Sequence, residues 1–231
     1  MTIKKLTFLL LLAITVTAYG QEENSDQKLT IDVGADLVSS YVWRGWHLAG
    51  PSIQPALSLS AYGITIGAWG SKDFSTIDKE IDLSLSYEIK GFTIGVSDYW
   101  MMYEEAPYFK NRGSHLIEGS LGFTFSPKFP LSIEVNTFLF GDEDECEKGQ
   151  KYYSTYISGS FPFSVGDVMM ESKVGVTPWR GMYSDKFGVA AISLRATKEL
   201  QISAKYALPV YTELTVAPVQ NNIFLVFGIT F

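Results

Sequence analysis

From Leu29 to the end of the chain, apolar residues fall at every second position. Leu29, Ile31, Val33, Ala35 and Leu37 alternate with Thr30, Asp32, Gly34 and Asp36. Successive side chains on a strand point to opposite faces, so a period of two marks a strand with one apolar and one polar face. The alternation recurs over 53–61, 64–68, 81–89, 92–96, 115–125, 131–139, 157–163, 168–176, 190–196, 200–208 and 223–231. This predicts about twelve strands, with 10–14 admissible, each near ten residues, the length a tilted strand needs to cross a bilayer. Breaks in the alternation at 98–103 and 152–156 predict bulges.

The links between these segments alternate in length. Tyr62-Gly63, Ile89-Lys90-Gly91, 126–130, 164–167 and 197–199 are short and rich in Gly, Pro and polar residues. The links 44–50, 71–79, 104–114, 141–151, 180–186 and 212–221 are longer. Transmembrane barrels have short periplasmic turns and longer outer loops, which would place both termini in the periplasm. The fold class that results is all-β, an antiparallel up-and-down transmembrane β-barrel.

Aromatic positions fit that frame. Trp43, Trp46, Trp69, Trp100 and Trp179 all lie where strands run into long links, while Phe92, Phe123, Phe161 and Phe227 lie near the short turns. Two aromatic bands around an aliphatic middle suit the two membrane interfaces. The opposite face is small: Ser58, Ser60, Gly67, Ser84, Ser86 and Ser120 suit a crowded lumen better than a wet surface. A soluble lipocalin-like barrel is the alternative.

Composition adds export. Lys4 and Lys5 precede an apolar stretch over 6–16, and Ala18 and Gly20 form a small-residue cleavage site before Gln21. The expected organisation is a signal peptide at 1–20, a periplasmic segment at 21–28 and the barrel at 29–231. Removing Lys4 and Lys5 takes 18 basic residues to 16 against 25 acidic, so the formal charge goes from −7 to −9. That balance offers no nucleic-acid footprint. A single cysteine, Cys146, excludes an intramolecular disulfide.

The last segment, Ile223-Phe224-Leu225-Val226-Phe227-Gly228-Ile229-Thr230-Phe231, resembles the closing strand of bacterial outer-membrane proteins. That resemblance implies recognition by the barrel-assembly machinery through Phe231. A second resemblance covers about a quarter of the mature chain. Ser39-Ser40-Tyr41-Val42-Trp43-Arg44-Gly45, Pro51, Gln54-Pro55-Ala56, Gly67-Ala68-Trp69-Gly70-Ser71 and Glu80-Ile81-Asp82-Leu83 resemble the N-terminal part of the TorF-like porin family. Ser40 stands where that family often has Asp, and Asp73 corresponds to its acidic third-strand residue. The resemblance implies a porin-like exported barrel and no particular solute.

The expected lumen face carries Asp32, Asp36, Asp82, Glu118, Glu134 and Glu171 against Lys173, Arg195 and Lys205. This acid excess points to a weakly cation-favouring pore or a polar binding site, and the alternative is a salt-bridged network that only fills the interior. Phe138, Phe140, Tyr152 and Tyr156 are expected to narrow it. Trp43, Arg44 and Trp46 form an outer-rim binding candidate for a phosphate or carboxylate, of lipopolysaccharide or of a solute; the competing reading is Arg44 snorkelling to head groups. The acidic run 141–147 suggests a divalent cation, but consecutive acids rarely converge, so a solvated loop is favoured. No cofactor or metal is expected. Catalysis has only His47 and His115 as imidazole bases, and Ser114 and His115 point to opposite strand faces, so an enzyme is not expected. The functional expectation is a porin-like channel or small-solute barrel. The alternatives are an adhesive barrel with aromatic outer loops and, last, a lipid-modifying enzyme.

Overall fold

The computed structural model describes residues 29–76, 79–102, 115–146, 149–204 and 206–231. The signal peptide and the 21–28 segment lie outside the described residues, as do the link 104–114 and Lys205.

Twelve strands close into an antiparallel barrel. They are β1 (Thr30–Val38), β4 (Ser52–Ala61), β5 (Ile64–Asp73), β6 (Lys79–Ile89), β7 (Phe92–Met102), β8 (His115–Ser126), β9 (Phe129–Phe140), β10 (Thr155–Val165), β11 (Val168–Thr177), β12 (Gly188–Ser203), β13 (Tyr206–Ala217) and β14 (Asn222–Thr230). Neighbours in sequence are neighbours in the wall, except that β1 pairs directly with β4, from Thr30 opposite Ser60 to Val38 opposite Ser52. The intervening β2 (Tyr41–Trp43) and β3 (Trp46–Ala49) form a separate hairpin.

The register sorts the two faces. One rung runs Ile64, Tyr87, Ile94, Leu121, Val135, Ile157, and most of its side chains are exposed on the outside, Leu121 at 60%. The adjacent rung runs Thr65, Ser86, Gly95, Ser120, Asn136, Tyr156 and lines the inside. Period two thus delivers an aliphatic exterior around a small, polar interior. On the outer face near the short turns, Phe92 and Phe123 (ring centres 4.4 Å apart), Phe125, Phe129 and Phe161 form a continuous chain of rings.

The seam is short. β1 and β14 pair only from Asp36 opposite Thr230 to Val38 opposite Gly228. Backbone bonds between Ala35 and Phe231 (3.2 and 2.9 Å) and from Ser39 N–H to the Phe227 carbonyl (2.8 Å) extend it on either side.

Four sequence expectations are corrected. Residues 197–199 are not a turn: Lys198, Leu200 and Ile202 continue the outward set of β12, and that strand runs on to Ser203. The 212–221 link shrinks to 218–221, because Thr212 to Ala217 stay paired with β14. No register shift occurs at Asp98–Trp100; alternation breaks there because Asp98 faces outward and bonds His115. Finally, Phe138 is buried while Phe140 is 42% exposed. A bulge sets Ile117 opposite Phe140 and Glu118 opposite Phe138, which turns one ring outward and the other in.

Candidate functional site

The site begins at the turn of the β2–β3 hairpin. Arg44 and Gly45 both have positive φ, 50° and 87°, as the tightest hairpin turns require at their two central residues. Glycine accepts this readily; arginine does so only with strain, of order 1 kcal/mol. Strain of this kind persists where surrounding contacts impose it. Here they do. A Cβ on Gly45 would run into the Ala190 carbonyl oxygen on β12, so the tip of the hairpin lies against the far wall.

The hairpin therefore turns into the bore, and its aromatic residues are not an interface belt. Trp43 packs on Tyr99, Tyr183 and Phe138, with ring centres 5.7, 6.0 and 6.3 Å away. Tyr41 lies 5.3 Å from Trp69, and His47 stacks on Phe224. Leu116, Phe138, Tyr156, Tyr183 and Ala190 are the buried centre of this packing. The hydroxyl end of Tyr156 lies over Gly175, which pairs with Ser158 on β10; a Cβ there would occupy the ring's place. Of the five tryptophans, Trp43, Trp46 and Trp69 belong to the interior assembly, which corrects the expectation of a single rim of Trp.

Arg44 is the centre of the charge arrangement. Its guanidinium donates to both Glu118 oxygens, Nη1 to Oε1 at 2.5 Å and Nη2 to Oε2 at 2.8 Å. Nη1 also donates to the Tyr183 hydroxyl at 2.5 Å, and the Tyr99 hydroxyl donates to Glu118 Oε2 at 2.8 Å. Trp43 and Tyr156 rings lie 4.4 and 4.8 Å from the guanidinium carbon. A planar fork stacked between rings and clamped on a carboxylate is the geometry arginine fits and lysine does not. The outer-rim and snorkelling readings of Arg44 are both corrected, because its charge is matched inside the barrel.

The other expected lumen residues fall as follows. Asp32, Asp36, Asp82, Glu134, Glu171, Lys173 and Arg195 all alternate with outward aliphatics and so face the interior. Arg195 stacks 3.8 Å from the Tyr211 ring centre and forms an ion pair with Glu213, Nε to Oε2 at 3.2 Å; the Tyr211 hydroxyl donates to Asp36 at 3.4 Å. The hairpin adjoins this second cluster, since Val42 packs against Val38, Tyr211 and Val226. Glu80, Tyr99 and Glu213 were missed, although each continues an inward period-two set. Tyr183 sits in a loop with no period, and nothing in the sequence marks it.

The acidic loop is only partly solvated. Asp144 in the short turn Asp142–Asp144 is fully buried and accepts from the Ser154 hydroxyl and backbone N–H. No cluster able to hold a metal exists among the described residues. At the opposite end, in the turn between β10 and β11, the Lys198 ammonium 3.1 Å away holds the Asp167 carboxyl below the usual carboxylate range.

No family model matches the chain, and no curated protein matches it. The TorF-like resemblance therefore stays a resemblance. Among solved structures, the barrel is similar to an outer membrane channel from Pseudomonas putida F1, at 13% identity and TM-score 0.43, covering 91% of this chain and 98% of that one. It is also similar to a mutant of Rh. blastica porin, at 10% identity and TM-score 0.39, over 78% of this chain and 55% of that one. A third is BamA from Haemophilus ducreyi lacking POTRA domains 1–3, at 10% identity and TM-score 0.39, over 81% and 41% of the two chains. The chain thus spans about half the length of the porin and less of BamA.

Proposed function

We propose that this chain is an outer-membrane channel for small solutes whose bore is closed by its own β2–β3 hairpin. The observation that carries the reading is the Arg44–Glu118 ion pair, with side chains 11% and 2% exposed, locking an inward hairpin to the barrel wall. The aliphatic exterior supports a bilayer setting. Soluble monomers rarely expose contiguous apolar patches beyond a few hundred Å², whereas here aliphatic side chains cover rung after rung. Barrels cross bilayers because closure leaves no unpaired backbone edge.

Termini in the periplasm, long loops outside and contact with lipopolysaccharide complete the proposal. The closing strand β14, ending at Phe231, would be the segment the barrel-assembly machinery reads. The lumen is acidic on this reading: Glu80 and Glu213 add to the acids named above, and Arg44 and Arg195 each match a single carboxylate. Such a bore favours small cations over anions. Planar-bilayer recording in a KCl gradient tests this. Openings with a reversal potential on the cation-selective side are expected; anion-selective openings would overturn the charge assignment.

A further inference from the structure

We propose that the cavity above the hairpin is a binding site for an amphipathic organic cation, an amine bearing an aryl or short alkyl group. The proposal rests on the channel reading only in taking this cavity as the outward vestibule. Its volume is about 300 Å³, and Tyr41, Trp43, Trp46, Tyr99, Met182 and Glu80 form its chemically distinctive walls. That is the lower end of the size range of small-molecule sites.

One buried acid of this cavity has no basic partner among the described residues. Glu118 has Arg44 and Glu213 has Arg195, but no described basic residue pairs with Glu80, which is 6% exposed. Asp82, the next inward residue on β6, lies beside Glu80, and its Oδ1 has no hydrogen-bond partner. Two adjoining carboxyl groups repel when both are ionised, and a cation held in the cavity against Glu80 offsets that repulsion. Asp73 adds negative charge to the lining; Lys79 is its only base among the described residues and is exposed.

The walls suit the same ligand. Faces of Trp and Tyr attract ammonium groups, most strongly where water is excluded. Trp46, Leu48, Met101, Leu116 and Met182 offer an apolar surface to the ligand's body. An anion would meet only repulsion from Glu80, and a neutral analogue would leave the carboxylate unpaired.

The test uses the refolded full barrel in detergent micelles and the fluorescence of its tryptophans. Phenethylamine, phenethyl alcohol and phenylacetate are titrated in turn. Saturable binding of the amine is expected, at least roughly tenfold tighter than the alcohol, with none of the carboxylate, since one charge-assisted contact carries about that weight. Glu80→Gln should cut amine affinity about tenfold and leave the alcohol unchanged. Equal affinity for all three probes overturns the proposal. Should Glu80→Gln fail to fold, judged by heat-modifiable gel mobility, the three-probe comparison on the wild-type chain decides by itself. Binding in micelles does not depend on conductance, so a non-conducting barrel that binds the amine would sink the channel reading and keep this site.

Discussion

Arg44 and Glu118, separated by 74 positions in sequence, meet across the bore as a two-point ion pair at 2.5 and 2.8 Å. Removing one partner of a buried pair strands the other charge, at a cost of about 3–5 kcal/mol, whereas replacing both with apolar groups is often neutral. The hairpin can escape that cost by leaving the bore; the wall cannot. Glu118→Gln should therefore expose Trp43 and Trp46 to chymotrypsin while the barrel keeps its heat-modifiable mobility. Arg44→Leu with Glu118→Leu should restore protection. Protection unchanged in Glu118→Gln would show that the pair does not hold the hairpin.

Gly45→Ala tests the seat of the hairpin by shape alone. The new methyl meets the Ala190 carbonyl oxygen and must also adopt a φ of 87°. The left-handed backbone adds about 1–2 kcal/mol before any clash. The variant should digest in the hairpin as Glu118→Gln does, with the wall intact; full protection would contradict the close approach.

The wall was legible in the sequence because its outer face must be aliphatic at every second position, and Ile64, Ile94, Leu121 and Ile157 obey that rule. The hairpin was not. Trp43-Arg44-Gly45-Trp46 has the composition of an interface belt, and whether it turns out or in depends on contacts with Tyr99, Phe138 and Tyr183 from distant strands and a loop. Phe140 was misplaced for a related reason. One extra residue at a bulge exchanges faces, and no local pattern announces it. Asp98 broke the alternation, and its outward bond to His115 at 2.9 Å explains why without a bulge.

The exterior makes a prediction of opposite sign for the two environments. Leu121 is 60% exposed on an outward rung. Leu121→Arg should destabilise a barrel refolded in lipid vesicles by about 2–4 kcal/mol, the cost of a cation near the bilayer midplane. Urea titration in vesicles measures it. A neutral or stabilising result would mean that this face meets water.

The Asp167–Lys198 pair at the short-turn end gives a pH test. The depressed folded-state pKa means that the pair contributes above the unfolded value of about 3.9 and is lost as pH falls through the folded one. Carboxyl-detected NMR should place the Asp167 midpoint below that value, and Lys198→Ala should bring it back. An unchanged midpoint in the variant would assign the depression to another cause.

The most direct test compares single-channel conductance of the wild-type chain with a variant whose residues 41–49 are replaced by a Gly-Ser linker of equal length. Both should show the same heat-modifiable mobility. The wild type should give small or brief openings, and the variant steady openings several-fold larger. Equal conductance in the two, or none in either, would contradict a channel closed by its own hairpin.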